Sequence, residues 1–163
     1  MRGDMMVLRV LCVCLALIPA WVSAQGLQVA FDGFDQDAAL PVEIAADSMA
    51  INQEDGSATL TGNVVIGQGD LRLAAPSVVV NYTADGGISQ IVAEGGVTVV
   101  TPAEEVEAQR AVYDLAADSM VLTGDVLLSQ GRSAVSSETM RVNLATGQAL
   151  LEGRVRTVLQ PTE

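Results

Sequence analysis

The chain has 163 residues, half of them apolar, and carries 20 acidic against 8 basic residues, for a net charge of −12. It contains no histidine, which excludes histidine-dependent catalytic triads and zinc sites with histidine ligands. The acidic balance excludes a basic nucleic-acid-binding face. Tyr82 and Tyr113 are the only aromatic residues after Phe34, which disfavours sugar-binding and base-stacking surfaces.

Residues 1–24 are predicted to form a cleaved secretory signal peptide. Two arginines lie among the first nine residues, residues 10–20 are apolar, and Val-Ser-Ala at 22–24 offers a small-residue cleavage site. The apolar run is shorter than the roughly 20 residues that a membrane span requires. We therefore predict that the rest of the chain is exported, and the alternative is an uncleaved membrane anchor.

The rest of the chain is predicted to hold one domain that lacks disulfides. Cys12 and Cys14 both lie within the signal, so the exported part must be stabilised by core burial alone, for which it is long enough. Residues 25–40 are acidic, lack alternation and are predicted to form a flexible tail. Their aspartates lack the spacing and closing glutamate of a calcium loop, so we expect no metal site there.

A glycine motif recurs four times along this domain. It reads LTGNV at 60–64, AEGGV at 93–97, LTGDV at 122–126 and LEGRV at 151–155. A glycine inside a strand is typical of bulges, bends and close backbone approaches. We therefore predict a bend that recurs in each layer of the fold, with the glycines on the inward face. These glycines are 33, 29 and 29 residues apart: Gly62, Gly95, Gly124 and Gly153.

A segment with alternating apolar residues precedes each glycine motif. The segments are ADSMAIN (46–52), APSVVVNY (75–82), AQRAVYDL (108–115) and SETMRVNL (137–144). Apolar residues at every second position predict half-buried β-strands. Turn signals separate them from the glycine strands, at 54–56, 84–87, 116–119 and 145–147.

Further short strands complete the predicted stack. A third apolar piece follows each of the first three glycine strands, around 71–73, Val106 and Val135. Residues 41–45 (PVEIA) open the stack and residues 154–159 close it. Each layer of about 30 residues rests on the previous one, and neither end carries a capping helix. The unpaired edges predict strand addition by a partner. An ordinary sandwich with coincidental similarity is the alternative.

The stretches PVEIAADSM, SATLTGNVVIGQGDLRL and VYDLAADSMVLTGDVLLSQ resemble the OstA-like family of lipopolysaccharide export, and within it the small soluble periplasmic member. The resemblance extends from about Pro41 to Val158. It implies an all-β fold, a slotted β-jellyroll of stacked antiparallel strands, which here would be built from four repeats in a domain at 41–159. A short tail at 160–163 would follow.

The same resemblance implies a transport function without catalysis or cofactor. The apolar interior would carry the acyl chains of lipopolysaccharide, and protomers would join end to end between inner-membrane and outer-membrane OstA-like partners. The candidate lipid-binding residues are the apolar side chains predicted to face inward: Val42, Ile44, Met49, Ile51, Leu60, Val64, Ile66, Leu71, Leu73, Val78, Val80, Tyr82, Val97, Val99, Tyr113, Leu115, Leu122, Val126, Leu128, Met140, Val142, Leu144, Leu151 and Val155.

Three other functions remain open at this point. A membrane-anchored relative of the same pathway would keep its N-terminal segment, and a structural β-repeat protein would bind no lipid. A carbohydrate-active enzyme would need two carboxylates that face each other across a sugar. Glu104 and Glu105 are adjacent and should point to opposite faces of a strand, and Asp114 and Asp118 are separated by a turn.

The charge distribution suggests how protomers would orient. Residues 25–71 contain eight acidic residues and no arginine, whereas four arginines lie in the C-terminal quarter. An acidic edge would then meet a basic edge in a head-to-tail assembly, which favours correct orientation and fast encounter. Arginines that serve only solubility are the alternative interpretation of this group: Arg132, Arg141, Arg154 and Arg156.

Overall fold

A computed structural model describes residues 27–30 and 40–158, which form one antiparallel sheet of 11 strands. Within those ranges there is no helix, and hence none long and apolar enough to cross a bilayer. The all-β prediction is confirmed. The strands are β1 (Leu27–Ala30), β2 (Val42–Ala45), β3 (Ser48–Asn52), β4 (Ser57–Gln68), β5 (Leu71–Tyr82), β6 (Ile88–Val100), β7 (Glu104–Asp114), β8 (Ser119–Gln130), β9 (Ser133–Asn143), β10 (Gln148–Glu152) and β11 (Arg156–Val158).

Several predictions fall outside the described residues. These are the signal peptide at 1–24, the short tail at 160–163, and residues 25–26 and 31–39 of the predicted acidic tail. Residues 27–30 of that same tail form β1, a strand that the absence of alternation did not anticipate. The closing strand expected at 154–159 is observed only as β11.

Neighbours in the chain are neighbours in the sheet, from β4 through to β10. The strand order is β1-β10-β9-β8-β7-β6-β5-β4-β2. Both ends of the sheet are divided, because β4 pairs with both β2 and β3, and β9 pairs with both β10 and β11. Three of the four predicted turn signals lie entirely in the connections between strands, and the fourth, at 116–119, extends one residue into β8.

The third apolar pieces are not separate strands, and this part of the prediction is wrong. Leu71–Leu73 begins β5, Val106 lies in β7 and Val135 lies in β9. Each piece runs without interruption into the alternating segment that follows it. The backbone stays extended through the bend on these strands, because the extra residue is inserted on their partners.

The bend at each of the first three glycine motifs is a β-bulge, whereas the fourth motif lies between β10 and β11. Thr61 pairs with Ser77 and Val64 pairs with Ala75, so Gly62 and Asn63 together stand opposite one residue. Gly62 has a φ of 78° and Asn63 a φ of 46°. Two successive left-handed residues turn the strand sharply, and glycine or asparagine accepts this conformation most readily. The other three motifs also have positive φ at both positions: Gly95–Gly96, Gly124–Asp125 and Gly153–Arg154.

These glycines do not lie on the inward face, which corrects the prediction. A Cβ atom built on Gly124 would lie 2.8 Å from the Cβ of Gln109, and one built on Gly95 would lie 2.8 Å from the Cγ of Pro76. Gln109 and Pro76 are both exposed. The left-handed pair breaks the alternation, so each glycine packs against an outer side chain of the adjacent strand.

The bulges divide the sheet into two half-sheets. The upper half-sheet extends from the bulges to the turns at 53–56, 83–87, 115–118 and 144–147, and contains β3 and β10. The lower half-sheet extends to the connections at 69–70, 101–103 and 131–132, and contains β2 and β11. Their buried apolar side chains form one continuous core. The two half-sheets therefore face each other across this core, and the space that its side chains fill is called the slot below.

Candidate functional site

The slot is lined by rows of side chains that cross the sheet from strand to strand. In the lower half-sheet, the register aligns Ile44, Ile66, Leu73, Val99, Val106, Leu128 and Val135. In the upper half-sheet, it aligns Met49, Leu60, Val78, Ala93, Ala111, Leu122, Met140 and Leu151. Directly opposed residues share one face of a sheet. Each row is therefore apolar from end to end.

Most of the predicted inward residues are buried in this slot. Val42, Ile44 and Leu115 are half-buried. The fully buried ones are 0–4% exposed: Leu60, Val64, Ile66, Leu71, Leu73, Val78, Val80, Val97, Val99, Tyr113, Leu122, Val126, Leu128, Met140, Val142, Leu144 and Leu151.

Four predicted residues are exposed. Met49 and Ile51 are 52% and 70% exposed, although they stand opposite the buried Leu60 and Ala58. Their strand, β3, is an edge strand that pairs only with β4 among the described strands. Tyr82 ends β5 at the turn and is 37% exposed.

Val155, also 37% exposed, lies between β10 and β11. The corresponding valines of the other motifs, Val64, Val97 and Val126, lie within a strand and are 0–2% exposed, whereas the strand is interrupted at Val155.

Some lining residues were missed. Ile91 and Met120 are 1% and 0% exposed, and they lie two residues before Ala93 and Leu122, so the alternation extended upstream would have found them. The alanines of the slot carry too weak an apolar signal to be selected. Gln68, which follows Ile66 with the same parity, was passed over because it is polar.

Gln68 joins the two half-sheets. It belongs to the lower half-sheet on β4 and is 4% exposed. Its Oε1 accepts a hydrogen bond of 2.7 Å from the Tyr113 hydroxyl, in the upper half-sheet on β7. Its Nε2 donates to the Leu40 carbonyl at 3.1 Å. One polar contact therefore bridges the slot between strands that are not sheet neighbours.

A buried carboxylate lies at the lower end of the slot. Glu104 is 3% exposed, whereas its neighbour Glu105 is exposed, so the prediction of opposite faces is confirmed. The Thr101 hydroxyl donates to Glu104 Oε2 at 3.1 Å, and Gln130 Nε2 donates to Oε1 at 3.2 Å. These bonds satisfy the carboxylate within the protein.

Burial raises the pKa of Tyr113 above its ordinary value, and the nearby negative charge of Asp118 adds to the shift. The phenol is therefore neutral at physiological pH and keeps its proton for the bond to Gln68. Among the described residues, every buried side-chain nitrogen or oxygen has a hydrogen-bond partner. The slot is apolar over most of its length, with satisfied polar groups at a few points.

The C-terminal arginines are partly neutralised within the protomer. Arg141 pairs with Glu152 at 3.0 Å, and Arg154 pairs with Glu138 at 2.8 Å. Both pairs are exposed and connect adjacent strands. Of the predicted basic edge, Arg156 lies on β11 itself and is exposed.

The comparisons with known proteins agree with this architecture. A model of the family described as "LptA/(LptD N-terminal domain) LPS transport protein" matches residues 43–148. The chain belongs to this family. The match covers the sheet from β2 to the start of β10. The family is one of transport proteins and is not an enzyme family.

Individual relatives align with most of this chain. The lipopolysaccharide export system protein LptA of Escherichia coli K12 is 32% identical over 142 residues, which cover 76% of this chain and 72% of that protein. LptA of Haemophilus influenzae is 27% identical, over 76% of this chain and 78% of that protein. An uncharacterized protein of Rhizobium meliloti is 30% identical, over 84% and 76%.

This chain superposes with a TM-score of 0.69 on the crystal structure of LptH. That protein is the LptA-homologous periplasmic component of the lipopolysaccharide transport device of Pseudomonas aeruginosa. It covers 77% of this chain and 99% of that chain, at 17% identity. At this identity the likeness establishes the fold, the β-jellyroll of LptA-like proteins.

Proposed function

We propose that this chain is a periplasmic lipopolysaccharide-binding transport protein. It holds the acyl chains between its two half-sheets, and it bridges inner-membrane and outer-membrane components by end-to-end strand addition. The observation that carries the proposal is the continuous apolar slot in a chain of this family. No catalytic step is involved.

The energetics of acyl chains favour a slot of this kind. Moving one CH₂ group from water into an apolar site is worth about 0.8 kcal/mol, so a chain of about 12 carbons is worth on the order of 10 kcal/mol. Free diffusion of a lipid with several chains is therefore too costly. The apolar rows, unbroken from β4 to β10, offer a contiguous path for such chains. Because the chain is itself acidic, apolar contact dominates binding rather than overall charge.

Lipid entry requires the slot to open. Its lining residues, such as Val78, Ala111 and Leu122, are 0% exposed, so side chains fill the space between the half-sheets. The acyl chains would replace these contacts with contacts of the same apolar kind. The main polar contact to be broken across the slot is the Tyr113–Gln68 hydrogen bond.

The edges of the sheet suit end-to-end assembly. In the described part of the chain, β2 and β3 each pair only with β4, so their outer backbone groups face away from the sheet. Unpaired edges of this kind favour the addition of another strand. Met49 and Ile51 expose apolar side chains at the same edge, which a neighbouring protomer would cover.

Photocrosslinking in cells that make lipopolysaccharide tests the lipid slot. A photoreactive phenylalanine analogue at Tyr113 would face the slot, and the same probe at Val112 is the matched control. Val112 is the adjacent residue and stands opposite Val92 and Val121 on the outer face. We expect lipopolysaccharide adducts at Tyr113 and none at Val112.

The other outcomes are also informative. Equal adducts at both positions would mean contact with lipid from outside and would contradict the slot. No adduct at either position, in a folded and exported protein, would favour a structural β-repeat protein. An N-terminus at Gln25 in the isolated protein would support the soluble form over the membrane-anchored one.

A further inference from the structure

The two ends of the sheet are not equivalent. At one end, β2 and β3 have no outer neighbour among the described strands. At the other end, β10 pairs with β9 on its inner side and with β1 on its outer side. All four residues of β1 take part, from Leu27 opposite Leu151 to Ala30 opposite Gln148. The C-terminal edge is therefore partly occupied by the chain's own N-terminal segment.

We propose that β1 is an intramolecular cap on the C-terminal edge, which a second copy of this chain must displace before it can join there. This inference rests on the proposed end-to-end assembly. Strand addition at β10 requires the backbone N–H and C=O groups of its outer side, which β1 holds. The cap keeps the isolated protomer from pairing indiscriminately through this edge, a known hazard of exposed strands.

The structure leaves one strand of this edge uncovered, where an incoming protomer can begin to displace β1. The cap covers β10, whereas β11 pairs only with β9 in the described structure. An incoming protomer presents the divided edge of β2 and β3, of four and five residues. It can pair first with the uncovered β11 and then replace β1 along β10. A four-residue strand is a weak competitor, because ordering its backbone offsets much of what its hydrogen bonds contribute.

The connection between β1 and β2 sets a length limit. The two strands lie at opposite ends of the sheet, eight inter-strand spacings apart, or about 38 Å along the sheet at about 4.8 Å per strand. The residues between Ala30 and Val42 can span at most about 41 Å when fully extended. The cap can therefore be closed within one chain, but with little length to spare.

A reversible disulfide tests the cap. Gln28 stands directly opposite Leu150, and opposed Cα atoms at about 4.5–5.5 Å suit a disulfide. Cys12 and Cys14 are the only cysteines of the chain. Gln28→Cys with Leu150→Cys therefore adds the only cysteine pair of residues 25–163, the predicted mature form in which the test is made. The reduced form of the same double variant is the matched control. Light scattering over a range of concentrations measures the assembly of each form.

We expect the oxidised form to contain an intrachain disulfide and to lose at least tenfold in self-association relative to the reduced form. Equal assembly of both forms would overturn the inference. So would a disulfide that joins two chains, since β1 would then belong to the neighbour. Lipopolysaccharide crosslinking at Tyr113 should survive the lock, and its loss in both forms would instead count against the proposed lipid slot.

Shortening the connection gives an independent test. Deleting residues 34–37 leaves a connection that spans at most about 27 Å, too short to close the cap within one chain. Replacing the same four residues with Gly-Ser-Gly-Ser keeps the length and is the control. We expect the deletion to increase assembly several-fold and the replacement to leave it unchanged. If the deletion leaves assembly unchanged, the cap does not restrain this edge.

Discussion

Replacing Gly124 with alanine should destabilise the protein for two separable reasons. Gly124 has a φ of 84°, a conformation that costs an alanine about 1–2 kcal/mol. The new Cβ would also lie 2.8 Å from the Cβ and 2.9 Å from the Cγ of Gln109, well inside the usual contact distance of about 3.5–4.0 Å. Relieving that overlap requires the two strands to shift, at about 1–3 kcal/mol.

Gly86 is the control that separates the two costs. Its φ is 88°, but a Cβ built there would meet nothing within 4 Å. Alanine also lowers the conformational entropy of the unfolded chain, which raises the free energy of unfolding of both variants by about 0.4–1 kcal/mol. We therefore expect Gly86→Ala to lower the free energy of unfolding by about 1 kcal/mol or less. Gly124→Ala should lower it by about 2–4 kcal/mol.

Urea unfolding of both variants measures this difference, provided that their m values agree. Adding Gln109→Gly to Gly124→Ala removes the overlapping atoms, and the double-mutant cycle should then give a coupling of at least about 1 kcal/mol. Equal destabilisation by the two alanines would refute the reasoning, since the close approach at the bulge would then contribute nothing.

Four further predictions concern the slot and the C-terminal edge. Tyr113→Phe should lower the free energy of unfolding by about 1–2 kcal/mol, because it removes the hydroxyl that donates to the buried Gln68 Oε1. It should also increase the rate of lipid loading measured by fluorescence quenching, and a slower rate would contradict a restraining role. Because the folded-state pKa of Tyr113 is raised, its contribution to stability is complete below about pH 10 and falls as the pH rises through the folded pKa. Melting temperatures measured at alkaline pH should therefore depend less on pH in Tyr113→Phe than in the unmodified protein. Arg154→Asn should raise the free energy of unfolding by about 0.5–1 kcal/mol, because asparagine tolerates the φ of 45° better than arginine and the exposed ion pair with Glu138 contributes little. A lower free energy of unfolding would mean that the lost ion pair outweighs the relieved backbone strain. Arg156→Glu should weaken self-association in low salt and have little effect at high salt, as light scattering would detect; equal effects at both salt concentrations would exclude charge steering at β11.

Much of the slot could be predicted from the sequence, because alternation is a local property. Two buried residues such as Ala58 and Leu60, two positions apart, share a face wherever the strand lies. The adjacent carboxylates Glu104 and Glu105 were separated correctly by the same reasoning. The rule failed at Val155, where the glycine motif ends the strand and alternation has no meaning.

The burial of the polar lining residues could be found only from the structure. Gln68 and Glu104 occupy inward positions by parity, yet a polar side chain is normally assigned to solvent. Their burial depends on partners that are distant in the chain, such as Tyr113, which lies 45 residues beyond Gln68. No local sequence pattern predicts such a partner.

The sequence by itself determined most of the strand positions, the turns and the recurring bend. Each depends on a few neighbouring residues: alternating apolar side chains, short turn signals, and a glycine among apolar residues. Only the tertiary structure decided that Met49 and Ile51 are exposed, that one hydrogen bond joins the half-sheets, and that β1 pairs with β10. These features depend on which strands meet across the sheet and which strand has no outer neighbour, and such contacts join residues that are far apart in the chain.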